Sequence, residues 1–195
     1  MKEQRNYSIF SSHLDLAHSF WEKGLASGGW AIDATCGNGH DTLRLSRLVG
    51  PNGGVIGLDI QKEALESTKA LLKENQKEEG VHLFHQSHEE FPPLANENPV
   101  QLIVYNLGYL PGGNKALTTR VASTLSSVEK ALALLSPGGT VSLTCYPGHP
   151  EGEKEESALL DYSQSLLAPD WSVSFHRFLN RRKAPSLLVI QKNIY

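Results

Sequence analysis

Only two cysteines occur in the 195 residues, Cys36 and Cys145, and they form neither a CxxC pair nor a Cys/His ligand spacing. Their scarcity argues against a disulfide framework and a zinc site, and it fits a reducing cytoplasm. No stretch approaches the ~18 apolar residues of a membrane helix. The first ten residues, MKEQRNYSIF, lack the apolar core of a signal peptide. A marked excess of either charge is missing as well. With 18 Lys+Arg against 21 Asp+Glu, the formal net is -3, so a polyanionic partner would have to meet a local basic patch. There is no internal repeat, low-complexity tract or linker. A single domain over 1–195 is expected, with about 1–26 as an N-terminal extension and helix, and it is long enough to bury roughly 70% of its unfolded surface. The reading is a soluble cytoplasmic protein, monomer or homodimer, with no membrane or metal partner.

Apolar runs alternate with helical stretches along the chain, the pattern of a mainly parallel sheet with helices on both faces. Strands are predicted at 30–36, 54–60, 81–87, 100–107, 139–146, 171–179 and 187–194. Helices fit at about 10–26, 40–49, 61–78, 118–135 and 152–167; Ala64, Leu65, Thr68, Leu71 and Leu72 fall near helical spacing. Pro137-Gly138-Gly139 reads as the end of one helix and the start of a strand. The last two strands are joined by RRKAPS, a link so short that they must be antiparallel neighbours. The fold class expected is α/β, Rossmann-like, of the class I methyltransferase type: seven strands, mostly parallel, with the last one antiparallel.

In such sheets ligands bind beyond the carboxyl ends of the strands. Asp33-Ala-Thr-Cys-Gly-Asn-Gly39 closes the first strand and opens a helix, and Asp59 ends the second. The small residues let backbone approach a ligand, with Thr35, Gly37, Asn38 and Gly39 beside it, and Asp59 is placed to accept two ribose hydroxyls, flanked by Ile60 and Gln61. A tight turn with Asp59 as a helix cap is the plain alternative. NAD is the sharper rival, but its third fingerprint glycine is here Thr42, and Asp33 would repel a pyrophosphate while suiting the amino-acid end of S-adenosylmethionine (SAM). SAM is therefore the expected cofactor, with S-adenosylhomocysteine as product. The third strand should end beside the adenine, which makes Gln86, Ser87 and His88 its candidate edge; His88 reads equally as a helix-start or surface residue. His40 and Asp41 are either cofactor residues or ordinary first-turn polar residues.

Asn106-Leu-Gly-Tyr109 ends the fourth strand, facing the transferable methyl group. An Asn followed by a turn and an aromatic is similar to the Asn-Pro-Pro-Tyr signature of enzymes that methylate exocyclic amines, with Leu-Gly in place of Pro-Pro. The Asn106 side-chain carbonyl and the Leu107 backbone carbonyl would hold the amine's hydrogens while Tyr109 stacks on the attached ring, with Asn106 and Gly108 also expected beside the cofactor; a glycine loop with Tyr109 in the core is the alternative. Thr118 and Thr119 read as caps of the next helix. Tyr146 and His149, in Tyr-Pro-Gly-His-Pro-Glu-Gly152, should project toward the same place, His149 either as proton acceptor or as a turn histidine bonded to backbone. Thr144-Cys145 matches the nucleophile of RNA cytosine-5 methyltransferases, but the Pro-Cys they carry after the fourth strand is missing, so both cysteines read as small buried residues. Arg177, Arg181, Arg182 and Lys183 gather at the tip of the final hairpin. Together with Lys115 and Arg120 they could hold RNA phosphates, or they could form a solvated tip.

Residues 33–42 (DATCGNGHDT), 106–113 (NLGYLPGG) and 148–152 (GHPEG) together resemble the bacterial YtqB-like rRNA methylase family, over about residues 10–193. That resemblance implies a tRNA methyltransferase acting on the anticodon stem-loop. It would convert the 5-aminomethyl group of wobble 2-thiouridine to 5-methylaminomethyl by direct attack of the amine on SAM, without metal or covalent intermediate. Methylation of rRNA or of another amine, or a non-catalytic SAM- or RNA-binding module, are the competing readings.

Overall fold

The computed structural model describes residues 12–108, 118–181 and 183–194. Among the described residues thirteen elements follow one another, strands alternating with helices as the apolar pattern requires as far as β6. In chain order they are α1 (His13–Gly24), β1 (Trp30–Asp33), α2 (His40–Val49), β2 (Gly54–Asp59), α3 (Lys62–Glu74), β3 (Val81–His85), a 3-10 turn (Pro93–Ala95), β4 (Val100–Asn106), α4 (Val121–Leu134), β5 (Leu135–Cys145), α5 (Pro150–Gln164), β6 (Trp171–His176) and β7 (Ser186–Lys192). Seven strands form one sheet in the order β3-β2-β1-β4-β5-β7-β6. All neighbours are parallel except β7, which runs antiparallel to both β5 and β6. Among the described residues, no helix is long and apolar enough to cross a membrane.

Strand periodicity divides the core between two faces. Ala31, Val55, Leu102, Val104, Leu187 and Val189 point to the side covered by α1 and α2, where they meet Ala17, Trp21, Leu45 and Val49. Ile32, Ile56, Ile103, Tyr105, Val141, Leu143, Leu188 and Ile190 point to the side of α4 and α5, against Val128, Ala131, Leu132 and Leu159. Two buried polar pairs fix the helices in register: Trp21 Nε1 donates to Ser142 Oγ at 2.9 Å, and the Tyr105 and Ser127 hydroxyls lie 2.8 Å apart. Helix α1 starts at His13 because Ser12 Oγ accepts from the Asp15 N–H at 3.1 Å.

Several boundaries differ from the sequence reading, β6 for example ending at His176 and α3 at Glu74, and three of them have a clear cause. Strand β1 ends at Asp33 rather than at residue 36, since the chain leaves the sheet there to form the glycine turn. Pro137-Gly138-Gly139 does not begin β5. Pairing with β4 already starts at Leu135, opposite Val100, and the Pro-Gly-Gly segment absorbs a register shift inside the strand, with Gly138 at φ +79°. Helix α4 begins at Val121 with Arg120 as its N-cap and no side-chain cap, so Thr118 and Thr119 do not cap it.

Candidate active site

The strand order reverses between β1 and β4, and the crevice at their carboxyl ends is the expected ligand position. The turn after β1 is tied to the strands on either side: the Ala34 N–H donates to Val104 O and the Cys36 N–H to Leu58 O, both at 2.9 Å. Gly39 caps α2 at φ +82°, and a Cβ there would lie 2.7 Å from Thr68 Cα. Thr68 Oγ1 also donates to Gly37 O at 3.2 Å. One side of the turn is thus pressed onto α3, while the other side opens on a cavity of about 890 Å³, a size typical of small-molecule sites.

Asp59 is held rigidly at the end of β2. Its Oδ2 accepts from the Gly37 N–H and its Oδ1 from the Gln61 N–H, each at 2.9 Å. Each carboxylate oxygen keeps capacity for a further donor, which suits a pair of vicinal hydroxyls. Ile60, 48% exposed, offers apolar surface next to it. Asp33 is fully buried and lies behind the cavity lining, as does Gly39. Thr42 Oγ1 donates to its Oδ2 at 2.6 Å and the Thr35 N–H to its Oδ1 at 3.2 Å. Burial, with Asp41 and Asp59 nearby, still pushes its carboxyl up to about 7.

Asn106 ends β4, its N–H donating to Thr35 Oγ1 at 2.7 Å. Its Nδ2 donates to Asp41 Oδ2 at 2.5 Å, and the other Asp41 oxygen lies 3.2 Å from His18 Nε2. An ionised carboxylate only accepts, so this contact fixes which way the Asn106 amide faces. The amide oxygen, Oδ1, is then buried without a donor among the described residues. Beyond Asn106, the Gly108 N–H donates to Thr119 Oγ1 at 2.8 Å and the Thr119 N–H returns to Gly108 O at 3.0 Å. Thr119 Oγ1 in turn donates to Glu155 Oε2 at 2.8 Å, and Thr124 Oγ1 to Oε1 at 2.5 Å. Glu155 is buried and its carboxyl is raised by that burial. It needs these donors, which is why the threonine is drawn away from a capping position.

Most of the site residues expected from sequence meet at this cavity. Thr35, Gly37, Asn38, His40 and Asp41 line it from the first turn and α2, and Asp59, Ile60 and Gln61 from the end of β2. Ser87, His88, Asn106 and Gly108 line it from the ends of β3 and β4, with Tyr146 and His149 after β5. Gln86 turns aside, its Nε2 donating to Glu90 O at 2.6 Å. His88 Nδ1 is buried with no partner among the described residues, and burial lowers the ring's pKa. His149 caps α5, its Nδ1 accepting from the Gly152 N–H at 3.1 Å. Arg120 and Lys183 reach the cavity rim, whereas Arg177 lines a separate groove and the Arg181 guanidinium lies 4.2 Å over the Phe178 ring. Tyr109, Lys115 and Arg182 lie outside the described residues.

Sequence reasoning placed helix α1 but missed its part in the site. It brings His18 to Asp41 and His13 to Tyr146, whose hydroxyl is 3.3 Å from His13 Nε2. Burial lowers the pKa of His13 and raises that of Tyr146. The available signal was spacing: His13 falls four residues before Ala17 and eight before Trp21, on the stripe that α1 buries.

A fixed carboxylate able to take two hydroxyls, next to a backbone turn open to close approach, suits an adenosine cofactor. The antiparallel β7 inserted between β5 and β6 separates this sheet from dinucleotide-binding ones. The chain is thus a class I SAM-dependent methyltransferase. It belongs to the family whose model, described as Putative rRNA methylase, matches residues 55–192. It is 40% identical over 187 residues, 91% of its length and 68% of the relative's, to the chloroplastic tRNA (mnm(5)s(2)U34)-methyltransferase of Arabidopsis thaliana. Among solved structures it is similar to a protein from Clostridium thermocellum described as a putative rRNA-methylase, with TM-score 0.91 and 32% identity over 95% of this chain and 100% of that one. A methyltransferase from Streptococcus mutans in complex with SAH follows at TM-score 0.82 and 30% identity, over 94% and 99% of the two chains.

Proposed function

We propose that the chain methylates the 5-aminomethyl group of wobble (2-thio)uridine in tRNA, giving the 5-methylaminomethyl form by direct in-line transfer. The observation that carries this reading is the Asn106 side chain. Its Nδ2 is committed to Asp41, leaving Oδ1 as a buried acceptor without a donor among the described residues. A buried acceptor left unpaired destabilises a structure by about 1–3 kcal/mol, and an amine N–H arriving from substrate relieves that penalty. The same bond holds the amine so that its lone pair points away from Asn106 and toward the methyl donor. The name of the Arabidopsis relative supports the same nucleoside.

Bound SAM supplies an electrophilic methyl group. In this reading the chain's own residues hold the reactants and handle the proton. Asp59 accepts the ribose hydroxyls, Gly37 and Asn38 offer main chain, and Asp33 faces the amino-acid end from behind the turn. Ser87 and His88 edge the adenine. Cys36 and Cys145 stay thiols, because burial raises both, so no cysteine nucleophile competes with the amine. His149 accepts from Gly152 through Nδ1, so the ring's N–H lies at Nε2, which serves as donor rather than base. The proton released by the methylated ammonium passes to the Tyr146 hydroxyl as that group gives its own to His13, which burial keeps neutral.

The test is methyl transfer by the purified protein from labelled SAM to tRNA carrying 5-aminomethyl-2-thiouridine, followed by mass spectrometry of the nucleosides. The methylated nucleoside should appear as the aminomethyl one disappears. Label entering only rRNA, protein or small amines would overturn the reading.

A further inference from the structure

The reaction cavity has a neighbour. A groove of about 450 Å³ opens between the start of α1 and the segment that follows β6. His13 stands between the two: its ring lines the groove, while its Nε2 lies 3.3 Å from the hydroxyl of Tyr146, which lines the cavity. Leu16, Phe175 and Leu187 give the groove an apolar floor, and His176 and Phe178 supply ring surface. The His176 ring is propped by Phe20, centroids 5.3 Å apart, and Phe178 carries the Arg181 guanidinium at 4.2 Å.

The rim has a sign of its own. Arg177 lines the groove and is exposed, the exposed Arg181 lies over the Phe178 ring, and the same hairpin places Lys183 at the cavity mouth. No acidic side chain lines the groove among the described residues. This local excess of positive charge, on a chain whose formal net is -3, sits on the side of the molecule where the substrate must enter. Apolar floor, aromatic rings and cationic rim together match one chemistry, a flat base with an anionic phosphate attached.

We propose that this groove is a second nucleotide subsite, holding an unpaired RNA base adjacent to the target nucleotide, with the base against His176 and Phe178 and its phosphate at Arg177. The proposal rests on the reading of RNA as substrate. It adds how the enzyme distinguishes a nucleotide within a single-stranded loop from a free nucleoside: the neighbour's base anchors the strand while the target amine reaches Asn106.

The experiment is a double-mutant cycle between protein and RNA. Fluorescence anisotropy measures binding of an RNA hairpin bearing the target nucleotide in its loop, with a base present or removed at each flanking position. Removing the base at one flanking position should weaken wild-type binding about tenfold, the effect of one lost stacking contact. His176→Ala and Phe178→Ala should weaken binding of the intact RNA similarly, yet show little further loss with the abasic RNA. Arg177→Ala should weaken both RNAs equally and lower the salt slope by about one. SAM affinity by calorimetry should be unchanged in all three, which shows that they fold. The proposal is overturned if neither flanking base matters to the wild type, or if protein and RNA losses multiply. It is also overturned if His176→Ala alters sedimentation while RNA binding stays intact, since the groove would then join two copies of the chain. An RNA that binds as described but receives no methyl group would sink the amine-methylation reading and leave the groove standing.

Discussion

Asp41→Asn is the sharpest probe of the site, because it keeps shape and changes only what the carboxylate does. Asp41 accepts from Asn106 Nδ2 at 2.5 Å and faces His18 Nε2 at 3.2 Å. An asparagine has one acceptor oxygen in place of two, so it meets Asn106 or His18 as the carboxylate does, but not both. The bond that remains is neutral. Hydrogen bonds to charged groups contribute about 1.5–3 kcal/mol and neutral ones about 0.5–1.5, so the Asn106 amide loses on the order of 1–1.5 kcal/mol of orienting energy. If that orientation is used in the transition state, turnover falls about tenfold, since 1.36 kcal/mol is a decade in rate. Asn106→Ala removes the acceptor itself and should fall further, by about a hundredfold or more. The double variant should be no slower than Asn106→Ala, because Asp41 acts through Asn106. The assay is methyl transfer at saturating SAM and RNA, paired with calorimetry of SAM binding. Multiplicative losses in the double variant would refute the argument, as would an Asp41→Asn defect that lies wholly in SAM affinity.

Asp33 gives a pH signature. Its carboxyl stands at about 7 against an ordinary 3.8, so between those values the folded chain keeps a proton that the unfolded chain has released. Stability of the cofactor-free protein should therefore fall as pH rises from about 4 to about 7. Asp33→Asn should flatten the decline in Tm between about pH 5 and 7, and parallel curves would show that the carboxyl is not perturbed. Gly39→Ala puts a Cβ 2.7 Å from Thr68 Cα at φ +82°. It should destabilise by about 1–3 kcal/mol, which lowers Tm by several degrees, and should weaken SAM binding; an unchanged Tm in a scanning calorimeter would contradict this. Cys145→Ala should fold and retain transfer, and a folded but inactive variant would reopen covalent catalysis.

The sheet was readable because its cause is local. Strands buried on both faces appear as continuous apolar runs, and a short link after the sixth strand, nine residues between His176 and Ser186, turns the seventh back. What failed was punctuation. Pro137-Gly138-Gly139 reads as a break, yet Leu135 already pairs with Val100 and the glycines take up the shift in register. Whether a Pro-Gly-Gly segment interrupts a strand or bends it depends on the partner strand beside it, and that neighbour is 35 residues away in sequence.

The site divides along the same line. Residues at strand ends were legible, since a parallel sheet brings its carboxyl ends together whatever the loops contain. His18 meets Asp41 across 23 residues and His13 meets Tyr146 across 133, so no motif window contains either pair. The difference matters for chemistry. Asn106 in its motif suggests an acceptor for the amine's hydrogens, but nothing in the sequence shows what turns the amide that way. Only when α2 meets the end of β4 does the Asp41 carboxylate claim the NH2 group, leaving the oxygen without a donor among the described residues. An acceptor there fits an amine N–H and disfavours an oxyanion. If the proposed amine is the substrate, the selection of nitrogen over oxygen as the methylated atom would depend on a contact between Asp41 and Asn106 that only the tertiary fold creates.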